Sequence, residues 1–318
     1  MVIREADGPP QLSAKENDTM KQLILPVALA TLTLVSACSS SKDDAKKAEA
    51  SEAAEATATG EVAEEEGDAF TSKVAGVSFN AVAKLPKAPA SASTQSECNG
   101  FVKAPQSPAA RLVAKAGWGV TGEGRIGKYR AVSFAGSFEP STSGSCYIGK
   151  GNVAIFDGET LVAIAYAPAS GKLTIANVLP FEEDSLRIWD GDAVPAPVAD
   201  IRVVDGKGLA IQKLAAKELA CGGGTPIPNI YGMPITKARK LLAKSGWDAV
   251  GNGDAAGRED EREADLAAMG VTEVASCSGT GFAFCSYDYK RPEAALAVTT
   301  VGDNEDPSVA EYAVRCGG

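Results

Sequence analysis

Apolar and polar positions divide the chain unevenly. Leu23 to Val35 is a short apolar run. Residues 39–69 are rich in Ala, Glu, Ser and Lys and hold no aromatic residue before Phe70. Periodic patterns begin beyond that point. Arg111-Leu112-Val113-Ala114-Lys115-Ala116-Gly117-Trp118 and Lys240-Leu241-Leu242-Ala243-Lys244-Ser245-Gly246-Trp247 each read as the end of an amphipathic helix. In both, glycine takes the position after the C-cap, and Pro108 or Pro234 stands near the helix start. Strands follow. Asn152–Phe156 and Thr160–Tyr166 flank Asp157-Gly158-Glu159, a hairpin signal. Ile201–Val204 and Leu209–Leu214 flank Asp205-Gly206-Lys207-Gly208 in the same way. Later, Phe282–Tyr289 alternates, Ala295–Val301 suits it as a partner, and Gly279-Thr280-Gly281 reads as a turn. Residues 254–269 are charged around Leu266 and Met269, which predicts a short exposed helix. Cys221-Gly222-Gly223-Gly224-Thr225-Pro226 reads as a flexible join.

The two Gly-Trp helices lie 129 residues apart. Each has a cysteine upstream, Cys98 or Cys221, and strand-like segments with cysteine downstream. The expected fold is therefore α+β, with two small related modules, each a helix packed on an antiparallel sheet. Module one is placed at 75–219 and module two at 220–318. Residues 39–69 cannot bury enough apolar surface to offset ordering, so 38–74 is expected to be a disordered acidic tether. A flexible coil of that length averages about 30 Å end to end.

The apolar run has Lys21 before it and Leu34-Val35-Ser36-Ala37-Cys38 at its end. A basic start, a short apolar core and small residues before a cut site make a secretory signal. The core falls short of the roughly 20 residues that span a bilayer. Val35-Ser36-Ala37-Cys38 resembles the lipobox of bacterial lipoproteins. That resemblance implies removal of a signal peptide at 20–37, acylation of Cys38 and attachment to a membrane. Ser39 in the second mature position resembles the outer-membrane sorting pattern, implying a site in the cell envelope facing the periplasm. Residues 1–19 fit no signal pattern, and Met20-Lys21 is the expected true start.

Cysteine usage agrees with export. Besides Cys38 there are six: Cys98, Cys146, Cys221, Cys277, Cys285 and Cys316. An even number outside the cytoplasm predicts three disulfides. Cys98 and Cys146 are the only two in module one and are expected to pair. The order within module two stays open.

The net charge of −10 is concentrated in the tether. Residues 41–69 carry ten acids against three lysines, while residues 70–318 carry 25 basic and 27 acidic residues. No basic face for nucleic acid is expected. The chain has no histidine. That removes Ser-His-Asp and Cys-His catalysis and every imidazole metal ligand. The acidic runs Glu182-Glu183-Asp184, Asp190-Gly191-Asp192 and Asp303-Asn304-Glu305-Asp306 lack EF-hand spacing. Neither a metal nor a cofactor is expected.

Residues 228–247 read PNIYGMPITKARKLLAKSGW. Pro228, Gly232, Met233, Ala238, Leu242, Gly246 and Trp247 give this stretch a spacing similar to the opening of a PASTA domain, a small module of cell-wall proteins. The resemblance covers about twenty residues and stops before Cys277, Cys285 and Cys316. It implies contact with peptidoglycan. Trp118 and Trp247 are the candidate binding or core aromatics, and because large aromatics dominate cores, burial under the sheet is the favoured expectation. The expected function is non-enzymatic binding by a membrane-anchored envelope lipoprotein, with cell-wall polymer as one ligand. The alternatives are a protein-binding inhibitor or adaptor, and an envelope hydrolase working through paired carboxylates.

Overall fold

The computed structural model describes residues 69–93, 97–206, 208–279 and 281–317. The expected leader, Cys38 and residues 39–68 of the expected tether lie outside them. The described residues are α+β, mostly sheet, with three α-helices and three disulfides.

In chain order the first part holds β1 (Phe70–Ser72), β2 (Ser78–Ala81), α1 (Pro108–Lys115), β3 (Gly119–Ile126), β4 (Tyr129–Ala135), β5 (Ser137–Pro140) and β6 (Cys146–Gly149). It continues with β7 (Asn152–Asp157), β8 (Thr160–Tyr166), β9 (Asn177–Pro180), β10 (Ser185–Trp189), β11 (Pro197–Val204) and β12 (Gly208–Gln212). One sheet has the order β2-β8-β7-β4-β3 and is antiparallel throughout. A second has the order β1-β12-β11-β10-β9, antiparallel except for parallel β1. β5 and β6 pair as a separate hairpin.

The sequence of β7 explains the layering. Val153-Ala154-Ile155-Phe156 is apolar at every position, and a strand sends alternate side chains to opposite faces. Both faces must then be covered. Val153 and Ile155 meet Leu186, Ile188 and Ile201 of the second sheet. Ala154 and Phe156 meet Ala110, Val113 and Trp118 on the helix side. In the first part α1 thus covers one face of a sheet, and a second sheet that the pattern did not announce covers the other.

Two glycines of β3 let that second sheet approach. A Cβ on Gly124 would lie 2.5 Å from Leu186 Cδ2, and one on Gly122 would lie 2.8 Å from the Val178 carbonyl oxygen. The boundary expected at 74/75 falls one strand too late. Phe70 packs edge-on against Phe79 and Tyr129, with centroids 5.3 and 6.1 Å away. Its burial draws residues 70–72 into the sheet beside β12.

The second part holds β13 (Lys217–Ala220), β14 (Thr225–Pro228), α2 (Ile235–Lys244), β15 (Asp248–Ala249), α3 (Glu261–Ala268), β16 (Val274–Cys277), β17 (Cys285–Arg291), β18 (Ala294–Val301) and β19 (Ser308–Cys316). β17, β18 and β19 form an antiparallel meander. β15 and β16 share the other edge of β17, with Asp248 opposite Lys290 and Cys277 opposite Cys285. Residues 250–273 leave the sheet between them and carry α3. That helix is not exposed on all sides, because Leu266 and Ala267 are buried. Trp247, Leu242, Tyr287 and Tyr289 form the centre of this core.

Residues 221–226 are not a flexible join. β13 and β14 pair as a hairpin around Cys221–Gly223, and Cys221 is bonded to Cys316 at the end of β19. The other disulfides are Cys98–Cys146 and Cys277–Cys285. The described residues form one compact unit, so the two parts meet at an interface rather than across a linker.

Candidate functional site

The interface is built around the end of β10. Trp189 closes that strand, and Asn177 of β9 is its cross-strand partner. Directly opposite residues of an antiparallel pair project from the same face. After Trp189 the chain turns on Asp190, whose Oδ1 accepts the backbone N–H groups of Asp192 at 3.2 Å and Ala196 at 3.0 Å. Gly191 lies directly on β6. A Cβ there would fall 1.7 Å from the Ile148 carbonyl oxygen. Absence of a side chain allows the Ile148 N–H to donate to the Gly191 carbonyl at 2.8 Å. The Asp190-Gly191-Asp192 turn is thereby held against the Cys98–Cys146 region.

Two depressions share Asp190 and Asp192 in their walls. One is an open basin of about 530 Å³ formed wholly by the first part. Tyr147, 47% exposed, stands in its wall with Glu139 and Lys172. The other is a cleft of about 390 Å³ between the two parts. Its apolar walls include Phe101, Leu179, Trp189 and Val194 from the first part and Phe284 from the second. Asp190, Asp192 and Glu311 are its charged residues, and no lysine or arginine lines it. Trp189 Nε1 and Asn177 Oδ1 are buried without a protein hydrogen-bond partner.

The charge pattern around the cleft has two regimes. Burial pushes the Asp190 carboxyl above the usual range, overcoming the two backbone donors, and the Asp192 charge acts in the same direction. Behind the cleft the charges are paired. Trp189 meets the Tyr231 ring edge-on at 5.9 Å, and Tyr231 packs on Tyr312 at 4.4 Å. Burial, then the Glu218 charge, pushes the Tyr231 hydroxyl up to about 12. Arg187, on β10, bridges to Glu218 of β13 at 2.6 Å and stacks over Phe181 at 3.5 Å. Burial alone would lower its affinity for a proton, but the bonds to Asp200 and Glu218 outweigh it and raise that affinity. This buried cluster ties the β13–β14 hairpin to the second sheet.

The aromatics singled out from the sequence are elsewhere. Trp118 is 7% exposed and Trp247 1%, each between its helix and its sheet. Trp118 Nε1 donates to the Pro86 carbonyl at 2.9 Å, and Trp247 Nε1 to the Pro226 carbonyl at 3.1 Å. Both have core positions, and neither lines the cleft. Of the six cysteines, Cys146 reaches the cleft wall through its disulfide position. Asp190 and Asp192 of one acidic run line both depressions, whereas Asp306 of the last run binds the start of α2 through Thr236. Among the described residues no three His, Cys, Asp or Glu side chains are placed to hold a metal ion. No periodic pattern marks Trp189 in the sequence. The only signal was its adjacency to an acidic turn, Trp-Asp-Gly-Asp.

No protein family, curated sequence or solved structure matches the chain.

Proposed function

We propose that the chain is a non-enzymatic, membrane-anchored binding lipoprotein of the bacterial envelope, and that the cleft between its two parts receives the ligand. The cleft carries this reading. It has the size of small-ligand sites and the mixture of apolar wall and few polar groups that such sites use. Anchoring through Cys38 to the outer membrane, with the folded part on the periplasmic side, follows from the lipobox-like Val35-Ser36-Ala37-Cys38. The recurrence of helix, Gly, Trp and antiparallel sheet supports a common ancestry for the two parts as related modules.

The lining bears on the choice of partner. Three carboxylates without a basic residue repel an anionic wall polymer. The PASTA-like stretch at Pro228–Trp247 favours peptidoglycan, but its tryptophan is in the core and offers no stacking surface. A protein partner that inserts a peptide segment, making this an inhibitor or adaptor, is the better fit. The test is co-sedimentation of the full chain, in detergent, with purified sacculi, beside crosslinking in cells from a photoreactive residue at Leu179. Adducts with an envelope protein and no sedimentation are expected. Sedimentation without adducts would reverse the order of the two readings.

One observation favours the hydrolase alternative. Asp190 is an acid with a raised carboxyl, as a general acid requires, with Glu139 and Asp192 lining the same basin. Under the binding reading Asp190→Asn leaves envelope hydrolysis unchanged. A loss of hydrolytic activity in that variant would establish the enzyme instead.

A further inference from the structure

We propose that the Cys277–Cys285 disulfide is a reversible thiol-exchange site: a reductant thiolate attacks Cys277, and Arg262 receives the charge released on Cys285. The assignment is independent of what the cleft binds.

The leaving sulfur has a cation on it. Cys285 Sγ accepts a hydrogen bond from Arg262 Nε at 3.3 Å. The same guanidinium donates through Nη2 to the carbonyls of Gly302 and Asn304, and it forms no salt bridge among the described residues. A disulfide sulfur is a weak acceptor, whereas a thiolate is a strong one. The contact therefore contributes little to the intact bond and more to the thiolate that departs. A guanidinium beside a cysteine favours the thiolate, and a more stable leaving thiolate speeds exchange. Glu263, which accepts the Cys277 N–H at 3.0 Å, is itself paired with Arg258 at 3.4 Å. Among the described residues no side chain donates to a sulfur of either other disulfide.

Access is one-sided. Cys285 is 1% exposed, whereas Cys277 is half-buried between exposed Ser276 and Ser278. An incoming thiolate therefore reaches Cys277. At Cys98–Cys146 both residues are buried. At Cys221–Cys316 the Cys316 residue is exposed, but neither sulfur has the cation that would favour its departure.

The strands hold without the bond. Cys277 and Cys285 are opposed on β16 and β17, and the Ser276 and Ser286 hydroxyls lie 2.9 Å apart beside them. The Ser278 N–H donates to the Phe284 carbonyl at 2.7 Å, and β17 pairs with β18 along its other edge. Opening the disulfide thus leaves β17 in its sheet. Phe284, next to Cys285, stands in the cleft wall, so the exchange site adjoins the cleft.

A dithiol reductant balances the reaction. Its thiolate bonds to Cys277 Sγ, the Cys277–Cys285 bond breaks, and the electron pair leaves on Cys285 beside Arg262. The second reductant thiolate then attacks the reductant's sulfur in the mixed disulfide. The reductant is oxidised to its own disulfide, and Cys277 leaves as a thiolate. Two electrons pass to the protein, and the two thiol protons pass to water, from which the cysteines regain them. A reductant with one thiol, in the first step alone, gives a mixed disulfide on Cys277.

The experiment adds limiting dithiothreitol to the folded full chain, traps thiols with iodoacetamide at successive times and maps the labelled peptides. Cys277 and Cys285 should be labelled at least about threefold faster than the other disulfide cysteines, with circular dichroism unchanged. Reduced glutathione should be found on Cys277, with Cys285 free. Arg262→Gln should slow this reduction at least about threefold and leave the other two pairs unchanged. A purely structural arginine predicts the opposite sign, because losing its bonds to Gly302 and Asn304 would loosen the site and speed reduction. If Arg262→Gln does not fold, the position of glutathione on the unchanged chain decides. Glutathione on Cys285, earlier opening of another pair, loss of fold on reduction, or an Arg262→Gln variant that is not slowed would overturn the assignment.

Discussion

Arg187 holds Asp200 through two parallel hydrogen bonds, Nε to Oδ1 at 2.8 Å and Nη2 to Oδ2 at 3.2 Å, and both side chains are buried. β10 and β11 place them on one face, in register across the sheet, as directly opposed residues. Glu218 completes the pair from β13, 31 positions along the chain from Arg187. Removing one member of a buried ion pair leaves the other charged and desolvated. Arg187→Met should therefore cost about 3–5 kcal/mol in urea unfolding, and the double variant Arg187→Met, Asp200→Leu should recover much of that loss. Equal costs for single and double variants would show that packing, rather than the charge, sets the penalty.

The start of α1 should be pH-sensitive. Ser107 caps the helix by accepting the Ala110 N–H. Glu123 of β3 accepts the N–H groups of Gln106 and Ser107 at 2.7 and 3.1 Å. Partial burial alone would raise the Glu123 carboxyl, but these bonds outweigh it and hold it below the ordinary value. A carboxyl depressed in the folded state stabilises above its unfolded value and loses that contribution as pH falls through the folded one. Glu123→Gln should then lower stability by about 1 kcal/mol at pH 7 and have little effect at about pH 3. Thermal melts of both proteins at the two pH values measure the difference.

The three disulfides should contribute unequally. They close 48, 95 and 8 residues, for Cys98–Cys146, Cys221–Cys316 and Cys277–Cys285. Loop entropy assigns them about 4, 4.7 and 2.5 kcal/mol. Cys277 and Cys285 are already opposed by the β16–β17 ladder, which lessens the value of linking them. Paired serine substitutions followed by denaturant unfolding should rank Cys277–Cys285 least costly. The reverse ranking would show that native-state effects outweigh loop closure.

The two core indoles should behave alike. Phenylalanine at 118 or 247 keeps an aromatic ring but leaves the Pro86 or Pro226 carbonyl without its donor. Each change should cost about 1–3 kcal/mol, and the costs should add because the residues belong to different cores. Strong non-additivity in the double variant would reveal coupling through the interface.

Acylation provides a direct check on the address. Cys38→Ala should abolish incorporation of labelled fatty acid into the chain in growing bacteria. Undiminished labelling would end the lipoprotein reading.

What was legible in the sequence was local. Helix ends could be found because the Gly117 and Gly246 backbones adopt φ of +90° and +82°, conformations that glycine accepts readily. Trp118 and Trp247 then donate their backbone N–H groups to Val113 and Leu242, which closes the helix end. The hairpin at Asp157-Gly158-Glu159 was visible for the same reason, since its turn needs the positive φ of Gly158. The site was not legible. Its residues come from Phe101, β6, β9, β10, the 190–195 turn, Phe284, β18 and β19, and no periodicity links them.

By itself the sequence determined where the two Gly-Trp helices end and where the Asp157-Gly158-Glu159 hairpin turns, because backbone conformation and side-chain alternation are properties of neighbouring residues. It also determined that six cysteines would brace an α+β fold. The tertiary structure decided which faces meet. The consecutive apolar residues of β7 demand two covers without naming them, and only packing made the second cover a sheet containing Leu186 and Ile188. Packing likewise turned the glycine run after Cys221 into a hairpin end bonded to Cys316. It left Trp189, rather than either helix-end tryptophan, in the wall of the cleft. Contacts between residues far apart in the chain depend on shape and burial summed over the whole fold, and no local window contains that sum.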